Sequence, residues 1–206
     1  MQPPGREDRL AEVPFHRMDD LIGGLIQTLL PWMQELPFAF FGHSLGAIVA
    51  LEASRALARH PLPQPVHVIV SARAAPHLPL RREPVAGLSR GGLERWLRRM
   101  NGTPDAVLQS REMMDMILPS LRADLDMDDK YRPRAAPPLR CPLTVLGGLG
   151  DDEATPEELQ AWSTYTTGKF TFRLIEGGHF FAFNHAQSAA LAAVADALTG
   201  VGKIGM

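Results

Sequence analysis

The chain has 206 residues, 45% of them hydrophobic and 21% charged, with a net charge of −2. That length suffices for one full core, and so small a charge gives no electrostatic ground for a nucleic-acid or anionic-membrane partner. A single cysteine, Cys141, leaves no internal disulfide, which fits a reducing cytoplasm, and no run approaches the ~20 apolar residues of a membrane span.

Met1 to Arg6 reads as a loop, polar and Pro-rich rather than a signal peptide. Met18 to Met33 then carries apolar residues at helical spacing, weakened at Gly23 and Gly24 and ended by Pro37. The all-apolar Phe38 to Phe41 predicts a strand covered on both faces. Between it and the helical stretch Ala47 to Arg59 stands Gly42-His43-Ser44-Leu45-Gly46. A G-x-S-x-G at a strand-to-helix junction predicts a nucleophile elbow, in which a strained turn exposes the Ser44 hydroxyl. The flanking glycines would let strand and helix crowd together, and the Leu45 amide could serve an oxyanion. The plainer alternative is a turn in which Ser44 only caps the helix.

Val66 to Val70 predicts a second strand, opening into the loop from Ser71 to Pro76. From Val85 to Tyr131 strand signals vanish, and helical patches at 93–100, 104–108 and 111–121 alternate with breakers. This stretch, 85–131, reads as a helical lid inserted into a single domain spanning 1–206. Strand texture returns at Leu143 to Leu146, followed by a helix start with Thr155 as cap, Pro156 and Glu158. Phe170 to Ile175 predicts the last strand and Ala186 to Leu198 the last helix. Strands alternating with helices imply a mostly parallel sheet and an α/β fold.

A serine hydroxyl needs a base to take its proton and a carboxylate to orient that base. In α/β-hydrolases these follow in the order Ser, acid, His, each beyond a strand end. Here Asp151 and Asp152 follow the third strand, and His179 follows Gly177 and Gly178 after the fourth. Either aspartate could be the acid, and Asp151 is preferred as nearer the strand end. His43 points away from Ser44 and reads as packing under the elbow, His185 as the start of the last helix, and Cys141 as a small buried filler. No Cys/His grouping suggests a metal, and no cofactor is expected. Met113, Met116 and Ile117 could line a pliable acyl pocket or simply pack the helices.

These residues resemble the type II thioesterases that accompany polyketide synthases and nonribosomal peptide synthetases. Phe40 to Ala47 is similar to that family's elbow, Gly102-Thr103-Pro104 and Leu118 to Asp124 to its lid, Gly148 to Asp151 to its acid loop, and Gly177 to Phe181 to its histidine loop. Trp162, on the helix after the acid, also fits. The resemblance implies an α/β-hydrolase fold and hydrolysis of acyl groups from the phosphopantetheine arm of carrier proteins, clearing stalled or misprimed chains. It implies Ser44 as nucleophile, His179 as base, Asp151 as its orienter and Leu45 as oxyanion donor, and the chain is expected to be a cytoplasmic monomer. It also implies further strands and a second oxyanion amide upstream of the Pro3-Pro4-Gly5-Arg6 loop, so the chain reads as N-terminally truncated. Other readings are a different serine esterase or acyltransferase, or a non-catalytic carrier-binding remnant.

Overall fold

The structure is a computed structural model, and it describes residues 2–184 and 186–199. In chain order the elements are α1 (Met18–Glu35), β1 (Ala39–His43), α2 (Leu45–Ala58), β2 (His67–Ser71), α3 (Arg90–Met100), α4 (Asp105–Gln109), α5 (Arg111–Lys130), β3 (Leu143–Gly148), α6 (Pro156–Gln160), β4 (Phe170–Ile175) and α7 (Gln187–Thr199). The chain divides into two compact units, residues 1–25 with 82–131, and residues 26–81 with 132–206.

The larger unit is built on a parallel sheet in the order β1-β2-β3-β4. β2 and β3 are buried along their whole length, which is why both are largely apolar, with the polar His67 and Thr144 buried against each other. The register aligns His43 with Ser71, Ser71 with Leu146, and Gly148 with Ile175, so the loops that follow all four strands leave the same sheet edge. Ile69, Leu146 and Ile175 from the strands pack with Phe181, Ala190 and Ala193 into one core. The alanines of α7 allow close approach to the sheet, since small side chains bring a helix axis nearer its partner.

α6 starts as the sequence predicts. The Thr155 hydroxyl accepts from the Glu158 N–H at 3.3 Å, and the Glu158 carboxylate accepts from the Thr155 N–H at 2.9 Å. Trp162, expected on this helix, lies instead in a 3-10 turn at Ala161–Tyr165. The tighter winding takes over after Gln160, two residues before the indole. It leaves Trp162 fully buried, its N–H donating to the Arg73 carbonyl at 2.7 Å.

The smaller unit is helical. Leu93 and Leu97 of α3, Leu108 of α4, and Met114 and Leu125 of α5 share a core with Val85. The Ser89 and Ser110 hydroxyls cap α3 and α5 by accepting from the Gly92 and Met113 N–H groups. α5 runs nine residues beyond the predicted 111–121 stretch and continues through Pro119. A buried acidic pair near its C-terminus explains the extension. Asp129 accepts from the Val85 and Ala86 N–H groups at 2.8 and 2.9 Å and pairs with Arg82, which also reaches Asp128 at 2.6 Å.

The segment that resembled a lid signature proves to be a set of ties within this unit. Arg122 donates to the carbonyls of Ala86 and Leu88, and Asp124 pairs with Arg6. Arg6 in turn donates to the Pro4 carbonyl at 3.1 Å. Two segments 118 residues apart in sequence are thus joined by one ion pair.

Candidate active site

β1 ends at His43 and α2 begins at Leu45, leaving Ser44 alone at the junction. Its backbone lies at φ 54°, ψ −119°, in a region that costs a non-glycine residue about 1–3 kcal/mol. The strain is held by two neighbours. The Ser44 N–H donates to the Ser71 carbonyl at 2.8 Å, and the Ser44 carbonyl accepts from Ala47 at 3.0 Å. The Ser44 side chain makes no capping bond to α2, so the turn is not serving as an ordinary helix cap.

The two glycines of the motif have different roles. A Cβ at Gly42 would collide with the Gly46 carbonyl and the Ala47 nitrogen, so strand and helix cross too closely for any side chain there. A Cβ at Gly46 would meet open space, contrary to the expectation that both glycines relieve crowding. Leu45 is the first residue of α2, where a helix has no preceding turn to accept its N–H.

Asp151 and His179 follow β3 and β4 and meet at the same sheet edge. Both Asp151 carboxylate oxygens lie 3.1 Å from His179 Nδ1. The Asp151 side chain is fully buried and that of His179 nearly so, which strengthens the contact by excluding water. Asp151 also accepts from the Glu153 N–H at 2.9 Å. Asp152 is exposed and takes no part in this contact.

Backbone approach makes the meeting possible. A Cβ at Gly148 would sit 2.6 Å from the carbonyls of both Gly177 and Gly178, and Gly177 itself has φ +122°. The Gly150 N–H donates to the Gly177 carbonyl at 2.9 Å, tying the acid loop to the histidine loop. An imidazole held by a buried carboxylate at Nδ1 keeps Nε2 as the free nitrogen, the tautomer a general base requires.

His43 packs beneath this arrangement, as its place in the turn suggested. Its Nδ1 lies 3.0 Å from the Ser71 hydroxyl, and its ring centre is 5.2 Å from that of His179. Burial, reinforced by the neighbouring His179, lowers the His43 pKa to about 4 and keeps it neutral. Ser71 was missed by sequence reasoning. Its only signal is that a small hydroxyl residue follows the apolar run Val68 to Val70.

The remaining candidates lie elsewhere. His67 is buried against the Thr144 hydroxyl at 2.9 Å, and His77 stacks on Tyr165. Cys141 is half-buried, and burial pushes its thiol pKa upward, away from reactivity. Met113 and Met116 are exposed on α5, whereas Ile117 packs against the helical core. His185 lies outside the described residues. Among the described residues no group of His, Cys, Asp or Glu could hold a metal, and no helix is long and apolar enough to cross a membrane.

Comparison with known proteins bears on this geometry. The family model described as "Thioesterase domain" matches residues 1–198. The gramicidin S biosynthesis protein GrsT of Aneurinibacillus migulanus is 37% identical over 183 residues, 89% of this chain and 71% of that protein. Among solved structures, RedJ, a thioesterase from the prodiginine pathway of Streptomyces coelicolor, has a TM-score of 0.88 at 37% identity, covering 96% of this chain and 74% of that one. BorB, a type II thioesterase from the borrelidin biosynthetic cluster, has a TM-score of 0.81 at 38% identity, covering 96% and 79%. The parallel sheet agrees with the α/β-hydrolase fold of these structures. A hydroxyl on a strained turn and an imidazole held by a buried carboxylate are what a serine thioesterase requires, and the chain belongs to the thioesterase-domain family, among the type II thioesterases of polyketide and nonribosomal peptide pathways.

Proposed function

We propose that Ser44, His179 and Asp151 form the catalytic triad of this thioesterase and that its substrates are acyl groups held on the phosphopantetheine arm of carrier proteins. The Ser44 hydroxyl attacks the thioester carbonyl while His179 Nε2 takes its proton. The Leu45 N–H donates to the oxyanion that forms. As the C–S bond breaks, His179 returns the proton to the departing sulfur, freeing the pantetheine thiol. Water then attacks the acyl–Ser44 ester, giving its proton to His179. Collapse releases the carboxylic acid and returns the proton to Ser44. Asp151 holds the imidazole in position and offsets the positive charge it gains.

The observation that carries this reading is the buried Asp151–His179 contact at the sheet edge where Ser44 sits in a strained turn. The carrier-bound substrate and the clearing of stalled chains rest on the pathways named for RedJ and BorB. We read residues 85–131 as an inserted lid of one domain, with Met113, Met116 and Ile117 as acyl contacts. A cytoplasmic monomer fits the same role. The test is release of short acyl groups from a loaded carrier protein by the wild type and by Ser44→Ala. Loss of release in the variant supports the reading, and equal rates overturn it.

A further inference from the structure

We propose that His43 is a positioning residue: an imidazole, anchored by Ser71, that sets the placement of His179 relative to the nucleophile. The proposal rests on the triad reading above and extends it to two residues outside the triad.

Ser71 grips the elbow twice. Its carbonyl accepts from the Ser44 N–H at 2.8 Å, and its hydroxyl lies 3.0 Å from His43 Nδ1. Ser71 is fully buried at the end of a fully buried strand, so this grip has a rigid base. From it the His43 ring reaches into the histidine loop. Its centre is 5.2 Å from the ring of His179, 5.7 Å from Phe180, 6.1 Å from Phe181 and 5.0 Å from Phe183. One side chain therefore touches His179 and three of the four residues after it, while its own backbone adjoins Ser44.

Packing alone does not account for an imidazole here. His43 Nε2 is buried without a well-formed hydrogen bond, the His179 backbone offering the ring only a weak one, a cost that an apolar ring would avoid. What the imidazole offers over such a ring is the Nδ1 contact with Ser71, which fixes the ring plane, while its aromatic faces remain available to His179 and the phenylalanines. Neutrality matters as well. The charged groups felt at His43 are His179 when protonated and Asp151, and a second cation beside His179 would oppose the proton that His179 must accept. Burial keeps His43 uncharged, so the electrostatics at His179 are left to Asp151.

Three variants separate the ring from its anchor. His43→Phe keeps an aromatic ring without the Ser71 contact, His43→Asn keeps a group able to reach Ser71 without the ring, and Ser71→Ala removes the anchor with little change in volume. The measurements are kcat and KM for acyl release from a loaded carrier, the rate of fluorophosphonate labelling of Ser44, and the melting temperature. The proposal predicts that Ser71→Ala and His43→Phe lower kcat and the labelling rate by about 10–100-fold, the scale of a small misplacement of reacting groups, with KM unchanged. It also predicts that combining them costs no more than the larger single effect, since both act through one contact. His43→Asn is expected to fall at least as far as His43→Phe. Folded Ser71→Ala protein with wild-type kcat and labelling rate would overturn the proposal, even if the His43 variants fail to fold. Ser44→Ala separates the two claims: full activity in that variant defeats the triad reading itself, whereas an inactive Ser44→Ala beside fully active Ser71→Ala and His43→Phe defeats only the positioning role.

Discussion

Asp151 meets His179 Nδ1 with both carboxylate oxygens at 3.1 Å, in a pocket that buries the carboxylate completely. The neighbouring Asp152, identical in chemistry and one residue further on, is exposed. Asp151→Asn is expected to lower kcat by about 10⁴-fold, because the amide favours the wrong imidazole tautomer and cannot offset its charge. Asp152→Asn should leave kcat within about twofold of the wild type, since a surface substitution away from the site changes little. Steady-state acyl release by the two variants checks both outcomes.

The two elbow glycines should respond oppositely to alanine. At Gly42 the new methyl meets the Gly46 carbonyl, which belongs to backbone and cannot rotate aside. Gly42→Ala is expected to destabilise the fold by at least about 1–3 kcal/mol, as overpacking in a core does. At Gly46 the methyl enters open space inside α2, and Gly46→Ala is expected to be stabilising by about 0.4–1 kcal/mol. Denaturant titration of both variants measures the difference.

Asp129 is the carboxylate that closes the loop before α3, accepting from Val85 and Ala86 and pairing with Arg82. Asp129→Ala would leave two main-chain donors short of an acceptor, while Arg82 keeps its pair with Asp128. The expected loss is about 1–3 kcal/mol for each unsatisfied donor, concentrated in the helical unit. Hydrogen exchange should report it first as lost protection at the Val85 and Ala86 amides.

His43 gives the fold a pH dependence with a defined sign. Its pKa falls from 6.5 to about 4 on folding, so between those values the unfolded chain binds a proton that the folded chain refuses. Stability is therefore fully present above pH 6.5 and is lost as pH falls from 6.5 towards 4, by up to roughly 3 kcal/mol from this residue. His67, also lowered chiefly by burial, adds in the same direction. Melting temperatures measured from pH 7.5 to 4.5 should fall on acidification, and His43→Asn should flatten that slope.

Much of this was legible in the sequence because strong local rules coincided. The strand-to-helix change of period around Gly42 to Gly46 and the capping box at Thr155 depend on residues close together in the chain, and Ser44, Asp151 and His179 each stand just beyond a strand that its own apolar run predicts. What was not legible depends on contacts between distant segments. The approach of Gly148 to Gly177 and Gly178, which lets the Asp151 loop meet the His179 loop, is something no single segment reveals. The Arg6–Asp124 pair and the clasp of Asp129 on Val85 lie across long stretches of chain, so the segment Leu118 to Asp124 could be matched to a family signature but not explained. Helix α5 outran its predicted end because tertiary ties at Asp128 and Asp129 overrode a local pattern interrupted by Pro119. The role of Ser71 was hidden for a similar reason, since one hydroxyl at a strand end has meaning only beside His43.

The central claim is that the acyl group passes through Ser44. Its most direct test is to mix the wild-type protein with an acyl-loaded carrier protein, quench within the first turnover, and weigh the peptide containing Ser44. The account predicts the mass of one acyl group on Ser44, decaying at a rate sufficient for turnover and absent in Ser44→Ala. Acyl release that proceeds with Ser44 unmodified throughout, and at the same rate in Ser44→Ala, would contradict it.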